Sequence, residues 1–132
     1  MKAISVRQPW ASAIIHCGKD IENRTRFCTH RGPLLIHASK HKPTKNELHA
    51  FLDLLIDVLS DERAACLLYA RNYERITEDR GGIVGQVDVV GCVTHDETTS
   101  PWFCGPYGLV LANPKPLPFR EYKGWLGLFE VE

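Results

Sequence analysis

No run in this 132-residue chain approaches the ~20 apolar residues that a membrane-crossing helix requires. Near its start Lys2 fits the basic end of a leader peptide, but Arg7, Gln8 and Pro9 interrupt any apolar stretch, and the expectation is a cytoplasmic protein. Cysteine is scarce and badly spaced for cross-linking: Cys17, Cys28, Cys66, Cys92 and Cys104 are odd in number, far apart and without a C-x-x-C pair. A disulfide framework or a structural zinc site is therefore not expected, and the thiols read as small apolar residues. The histidines and acids show no ligand spacing either, so neither a metal nor another cofactor is expected. Internal repeats and low-complexity tracts are absent. Net charge is absent too, with 16 basic against 16 acidic side chains, which argues against an indiscriminate polyanion binder. The length suits one domain, 1–132, around one core.

What is present is unevenly placed. Residues 1–45 hold nine lysines and arginines against two acids, a net of +7, and the remainder carries −7. Such asymmetry fits either one positive face on a neutral protein or two halves that neutralise each other across the fold. The periodicities mark out elements. Ala3 to Val6 alternates as a strand. Pro9 opens a short helix whose apolar face is Trp10, Ala13, Ile14 and Cys17, ended by Gly18. Ile21 to Arg24 is extended, Arg31-Gly32-Pro33 is a turn, and Leu34 to Ala38 is a buried strand. Thr44-x-x-Glu47 is a capping box, followed by a helix from Lys45 to Leu59 with Leu48, Phe51, Leu52 and Leu55 on one face. Ser60 caps a second helix carrying Ala64, Leu67, Leu68 and Arg71.

Ile83 to Val93 is a long strand with Ile83, Val87, Val89 and Val93 inward and Gln86 and Asp88 outward. Tyr107 to Leu111 is a strand, the proline-rich Asn113 to Pro118 a connector, and Trp125 to Val131 a closing strand. Strands bent at internal glycines, with few helices, predict an α+β fold: a small mixed β-barrel with flanking helices.

The chemistry concentrates in Lys19-Asp20-Ile21-Glu22-Asn23-Arg24, a K-x-x-E-x-R pattern just after the helix-ending glycine. On an extended segment Glu22 and Arg24 share a face. The guanidinium suits a phosphate or a base edge. The lysine can serve as a point charge, or as a base or nucleophile once its pKa falls. The bland alternative is a surface salt-bridge triad with no ligand. Trp10 either stacks on a base or plugs the end of the barrel, and Trp102 and Tyr107 either shape a cleft wall or fill the core. His37, after an apolar run, is either a core residue or a proton shuttle. Arg31, Ser39 and Lys40 could each contact phosphate.

Three segments in order, Ser5 to Ser12 (with Gln8-Pro9-Trp10-Ala11), Lys19-x-x-Glu22-Asn23-Arg24 and Arg31 to Ser39, resemble the ASCH family. Ser100-Pro101-Trp102, Gly105-Pro106-Tyr107 and the Leu126-Gly127-Leu128-Phe129 ending resemble its bacterial and phage members. The resemblance spans nearly the whole chain except 43–80, which looks like an inserted helical segment. It departs at one point, because the signature glycine falls at Cys17 and glycine appears instead at Gly18. The resemblance implies a PUA-like barrel with a cleft lined by the signature, taking RNA or a nucleotide-like ligand. Its implied binding set is Gln8, Trp10, Lys19, Glu22, Arg24, Arg31, Ser39 and Lys40. Two catalytic readings of the same cleft follow. One is a metal-independent ribonuclease with Lys19 and His37 as the catalytic groups and Arg24 and Lys40 on the phosphate. The other is an amidohydrolase of the N4-acetylcytidine type using Lys19 and Glu22, whose known branch has threonine where this chain has Glu22.

Overall fold

The computed structural model describes residues 1–59 and 78–132. The elements are β1 (Lys2–Val6), α1 (Trp10–His16), β2 (Ile21–Arg24), β3 (Gly32–Ala38), α2 (Lys45–Leu59), β4 (Gly82–Val93), a 3-10 turn (His95–Glu97), β5 (Tyr107–Glu121) and β6 (Leu128–Glu130). All six strands belong to one sheet, in the order β2-β5-β4-β3-β1-β6. Only β1 and β3 run parallel. The sheet curls into a half-barrel, the small-barrel architecture of PUA-like proteins. The expected second helix from Ser60 lies outside the described residues.

The concave face holds the main core. Ile4 and Val6 of β1, Leu34, Ile36 and Ala38 of β3, Val87 and Val89 of β4, and Leu109 and Leu111 of β5 pack against Ala11, Ile14 and Ile15 of α1. Burying each of the larger aliphatic side chains contributes about 1.5–3 kcal/mol. The seven-residue α1 is too short to be stable alone, so this packing is what holds it. Gly85 makes the contact possible, because a Cβ there would lie 2.5 Å from Ile15 Cδ1. Gln8 ties the start of α1 in place: its amide accepts from Ser12 N at 3.0 Å and donates to Asp79 O at 3.0 Å. A second apolar layer on the other face joins Ala3, Leu35 and Ile83 to Phe129 and Val131.

Three expected boundaries move, the first being the closing strand expected over Trp125 to Val131, which is only Leu128–Glu130. The expected connector 113–118 is part of β5, which continues to Glu121. Asn113, at φ 52°, sits where the β4–β5 register slips from Asp88↔Ala112 to Gln86↔Lys115. That extra residue switches which alternate positions donate to β4. Pro114, Pro116 and Pro118 lie beyond Val110, where β2 no longer pairs, so a missing N–H on that side costs no ladder bond. At the third boundary, Gly32 and Pro33 already pair with Val89 and Asp88, so they open β3 and are not a turn. The capping box of α2 forms as expected, with Thr44 N donating to Glu47 Oε1 at 3.0 Å and Glu47 N donating to Thr44 Oγ1 at 3.2 Å.

Candidate functional site

The site begins where α1 ends. Gly18 takes φ 74°, a conformation that glycine adopts without strain, and Cys17 N and Lys19 N both donate back to Ala13 O. This turn aims Lys19 inward, and the chain continues directly into β2. The one-residue shift of the signature glycine therefore leaves Lys19 within the charged cluster.

Lys19 is only 5% exposed and Glu22 8%. The ammonium donates to the carbonyl of Ile21 and lies 3.5 Å from Glu22 Oε1. The other carboxylate oxygen accepts from Arg24 Nη2 at 2.7 Å. The same Nη2 donates to Ser5 O at 3.0 Å, linking β2 across to β1. Arg24 Nε is buried without a hydrogen-bond partner. Glu22 thus bridges two cations, as expected of residues two apart on one strand face. Burial holds the Lys19 ammonium below its ordinary pKa of 10.5; Glu22 opposes that push, and Arg24 adds weakly to it.

The cluster opens into a cavity of about 320 Å³ lined by Trp10, Lys19, Glu22, Asn23, Leu54, Trp102 and Cys104. That volume falls in the range of about 300–1,000 Å³ typical of small-ligand pockets. Its apolar lining is Trp10, Leu54 and Trp102, and its polar lining is Lys19, Glu22, Asn23 and Cys104. Trp10 stands edge-on to Phe51 at 5.6 Å, and Leu54 faces the cavity, so α2 forms one wall. Asn23 secures the opposite rim. Its side chain donates to Trp102 O at 3.1 Å and accepts from Cys104 N and Gly105 N at 2.9 and 3.1 Å. Ser100 Oγ to Asp20 Oδ1 at 2.5 Å ties the same loop to the start of β2.

Of the expected site residues, the structure brings together Trp10, Lys19, Glu22 and Arg24. Gln8 is fully buried with both ends of its amide engaged, so it supports α1 and lines no cleft. His37 is 1% exposed and lies on the other face of β3, edge-on to Phe129 at 5.7 Å. Its Nε2 meets Tyr122 O at 2.6 Å and its Nδ1 meets Ser5 Oγ at 3.0 Å. A carbonyl only accepts, so Nε2 carries the proton and Nδ1 accepts from the serine. The core alternative for His37 fits this placement. Arg31 clips its own loop, donating to Cys28 O and His30 O. Ser39 and Lys40 follow the end of β3; Ser39 Oγ is buried without a partner, and Lys40 packs its stem near Gly81. Asn23, Leu54 and Cys104 are cavity residues that the sequence reading passed over. Asn23 stood inside the motif itself, but Leu54 and Cys104 carry no local signal.

Among the described residues no group of three or more His, Cys, Asp or Glu side chains could hold a metal ion. None of the described helices is long and apolar enough to cross a membrane.

The curled half-barrel, with Lys19 and Glu22 buried beside an aromatic cavity and Arg24 paired to Glu22, is a PUA-like domain. The family model described as "ASCH domain" matches residues 4–128, and the chain belongs to that family, which is generally linked to RNA binding. It is also similar to human Activating signal cointegrator 1, with 31% identity over 101 residues. That match covers 71% of this chain and 15% of the human protein, so the chain spans only a small part of the length of this relative.

Proposed function

We propose that this domain is an RNA reader that takes one nucleotide into the cavity between Trp10, Trp102 and Leu54, with its polar edge against Lys19 and Glu22. The observation carrying this reading is the buried donor-acceptor pair at the end of an aromatic cavity of about 320 Å³. Lys19 donates, Glu22 accepts, and Arg24 stands behind Glu22 on the phosphate side. A base between aromatic walls with its edge on such a pair is recognised by both stacking and hydrogen bonding.

The test uses a labelled, mixed-sequence single-stranded RNA in EDTA, with binding and cleavage read on the same samples. Wild type should bind in a salt-sensitive manner and leave the RNA intact. Trp10→Ala should weaken binding by roughly 5- to 150-fold, the equivalent of one lost stacking contact. Salt-insensitive binding, or unchanged binding by both Trp10→Ala and Lys19→Ala, overturns the reading. Cleavage by wild type but not by Lys19→Ala would replace a reader by a nuclease.

The depressed pKa of Lys19 supports a second reading, the amidohydrolase. A lysine that gives up its proton more readily can take one from water. The resulting hydroxide adds to an acyl carbon, and Glu22 relays the proton to the departing amine as the C–N bond breaks. N4-acetylcytidine left unchanged by excess protein eliminates this reading.

A further inference from the structure

The half-barrel does not close on itself. Its two edge strands, β2 and β6, leave a second and larger hollow of about 880 Å³ between the 25–30 loop and residues 126–128. Its cations are Lys2, Arg24 and Arg26, and among the described residues no acidic one lines it. Two of the three are engaged: Lys2 pairs with Glu130 at 3.2 Å, and Arg24 with Glu22. Arg26 is exposed and has no ion-pair partner among the described residues. Beside it Phe27 is 55% exposed, with its ring held edge-on to Tyr107 at 6.0 Å. Leu126, on the opposite bank, is 100% exposed.

A lone apolar hollow would leave its occupant open, but three features narrow this one. Arg26 is an unpaired cation in a lining that holds no acid among the described residues, which favours an anionic occupant. An exposed aromatic ring held in place beside an unpaired guanidinium suits a base followed by a phosphate better than it suits carboxylates alone. Arg24 belongs to both hollows, since it lines this one and grips the Glu22 carboxylate of the other. Residues 22 and 24 are about 6.6 Å apart along the strand, so a chain leaving the inner cavity enters the groove after a short step.

We infer that this groove carries the RNA strand onward from the nucleotide held at Trp10: the next phosphate lies at Arg24, the neighbouring base on Phe27 and the following phosphate at Arg26. The inference rests on the reader function proposed above and adds to it that the ligand is an oligonucleotide lying along β2, not a free nucleotide. Selectivity and affinity then belong to different parts of the surface.

The experiment compares a mixture of the four nucleoside 5′-monophosphates with a mixed-sequence RNA pentanucleotide, on wild type, Phe27→Ala, Arg26→Ala and Trp10→Ala. Phe27 and Arg26 are exposed, and circular dichroism checks that their variants keep the fold. The pentanucleotide should bind wild type at least about tenfold more tightly. Phe27→Ala should weaken pentanucleotide binding by roughly 5- to 150-fold while leaving the monophosphates within about twofold. Arg26→Ala should lower the salt dependence of pentanucleotide binding by about one phosphate contact. Equal affinity for the two probes, or pentanucleotide binding unchanged in both groove variants, overturns the groove and leaves the inner cavity standing. Groove-dependent pentanucleotide binding that ignores Trp10→Ala overturns the inner-cavity reading and the path joining the two. Binding of neither probe, or groove-dependent binding of a polyglutamate peptide in place of RNA, overturns both.

Discussion

Glu22→Gln removes one negative charge while keeping nearly the same shape, and it isolates what the carboxylate does for Lys19. In the wild type Glu22 sits 3.5 Å from one buried cation and 2.7 Å from a second that is less buried. Without the charge the Lys19 ammonium keeps only neutral acceptors, the Ile21 carbonyl and the glutamine amide oxygen, in a place 5% exposed to solvent. Breaking a buried pair in this way costs about 3–5 kcal/mol. At this chain length each kcal/mol moves Tm by roughly 3–5 °C, so Tm should fall by roughly 10–20 °C at neutral pH.

The pH dependence gives a sharper check. Burial lowers the Lys19 pKa from 10.5 and Glu22 opposes it, so the variant lysine titrates lower still. Between the folded and unfolded values the unfolded chain binds more protons, and stability rises with pH. Below the folded value both states are protonated and the full cost of the buried charge stands. The deficit of Glu22→Gln should therefore be greatest near neutrality and shrink as pH climbs toward 10.5. Thermal unfolding followed by circular dichroism near pH 7 and pH 9.5 measures both. Lys19→Met/Glu22→Gln, which leaves only the part-exposed Arg24 as a cation, should recover most of the loss. A neutral-pH deficit under about 1 kcal/mol, the size expected of an exposed pair, would refute the reasoning. So would a deficit that does not shrink in alkali.

Further outcomes separate the parts of the molecule. His37→Ala should cost about 3 kcal/mol or more in urea unfolding, since it opens a void and strips partners from Ser5 and Tyr122. It should leave RNA affinity unchanged, and selective loss of binding would bring His37 back into the site. Glu47 is held down to about 2 by His41 and Thr44, so it stabilises the fold above pH 4.5, and that contribution is lost as pH falls toward 2. Glu47→Gln should accordingly flatten this part of the acid-unfolding profile. Cys104 is exposed on the cavity rim, so alkylating it should block RNA binding in wild type and have no such effect in Cys104→Ser. Binding that survives full modification of Cys104 would place the ligand elsewhere.

The elements with strong periodicity were legible in the sequence because their patterns are local. The Thr44 capping box needs only four residues, and the alternation of β4 survives with Val87 and Val89 buried and Val90 exposed, although Ile83, expected on the same face, joins the other layer beyond the irregularity at Gly85. The run of β5 through three prolines was not legible. It depends on a bulge at Asn113 and on β2 ending opposite Val110, both of which are facts about neighbours. The charged half of the site was written in one six-residue stretch, since a turn and a short strand suffice to gather Lys19, Glu22 and Arg24. Its apolar half was legible in part: Trp10 and Trp102 stood out as possible wall residues, whereas Leu54 arrives from a distant helix with no local signal. His37 takes the core alternative that its apolar run allowed, and Gln8, named through the family resemblance alone, has its partners inside the protein.

Retaining a buried cation is costly in a domain of this size, and well-packed apolar residues at Lys19 and Glu22 could give equal or greater stability. The cost has a function if the pair discriminates between ligands. In a cavity walled by Trp10, Leu54 and Trp102, a ligand edge that fails to meet the donor or the acceptor leaves a buried group unpaired, at about 1–3 kcal/mol for each mismatch. Such discrimination arises from short hydrogen bonds shielded from ions, whereas phosphate contacts along the open groove are screened. On the two proposals together, raising the salt should weaken binding of every oligonucleotide while leaving the ratios between base sequences nearly constant. Titrations of a small set of homopolymer RNAs across a range of salt concentrations measure both quantities at once. Ratios that collapse as salt rises would move the discrimination out to the groove, and the buried pair would then be left without the role that justifies its cost.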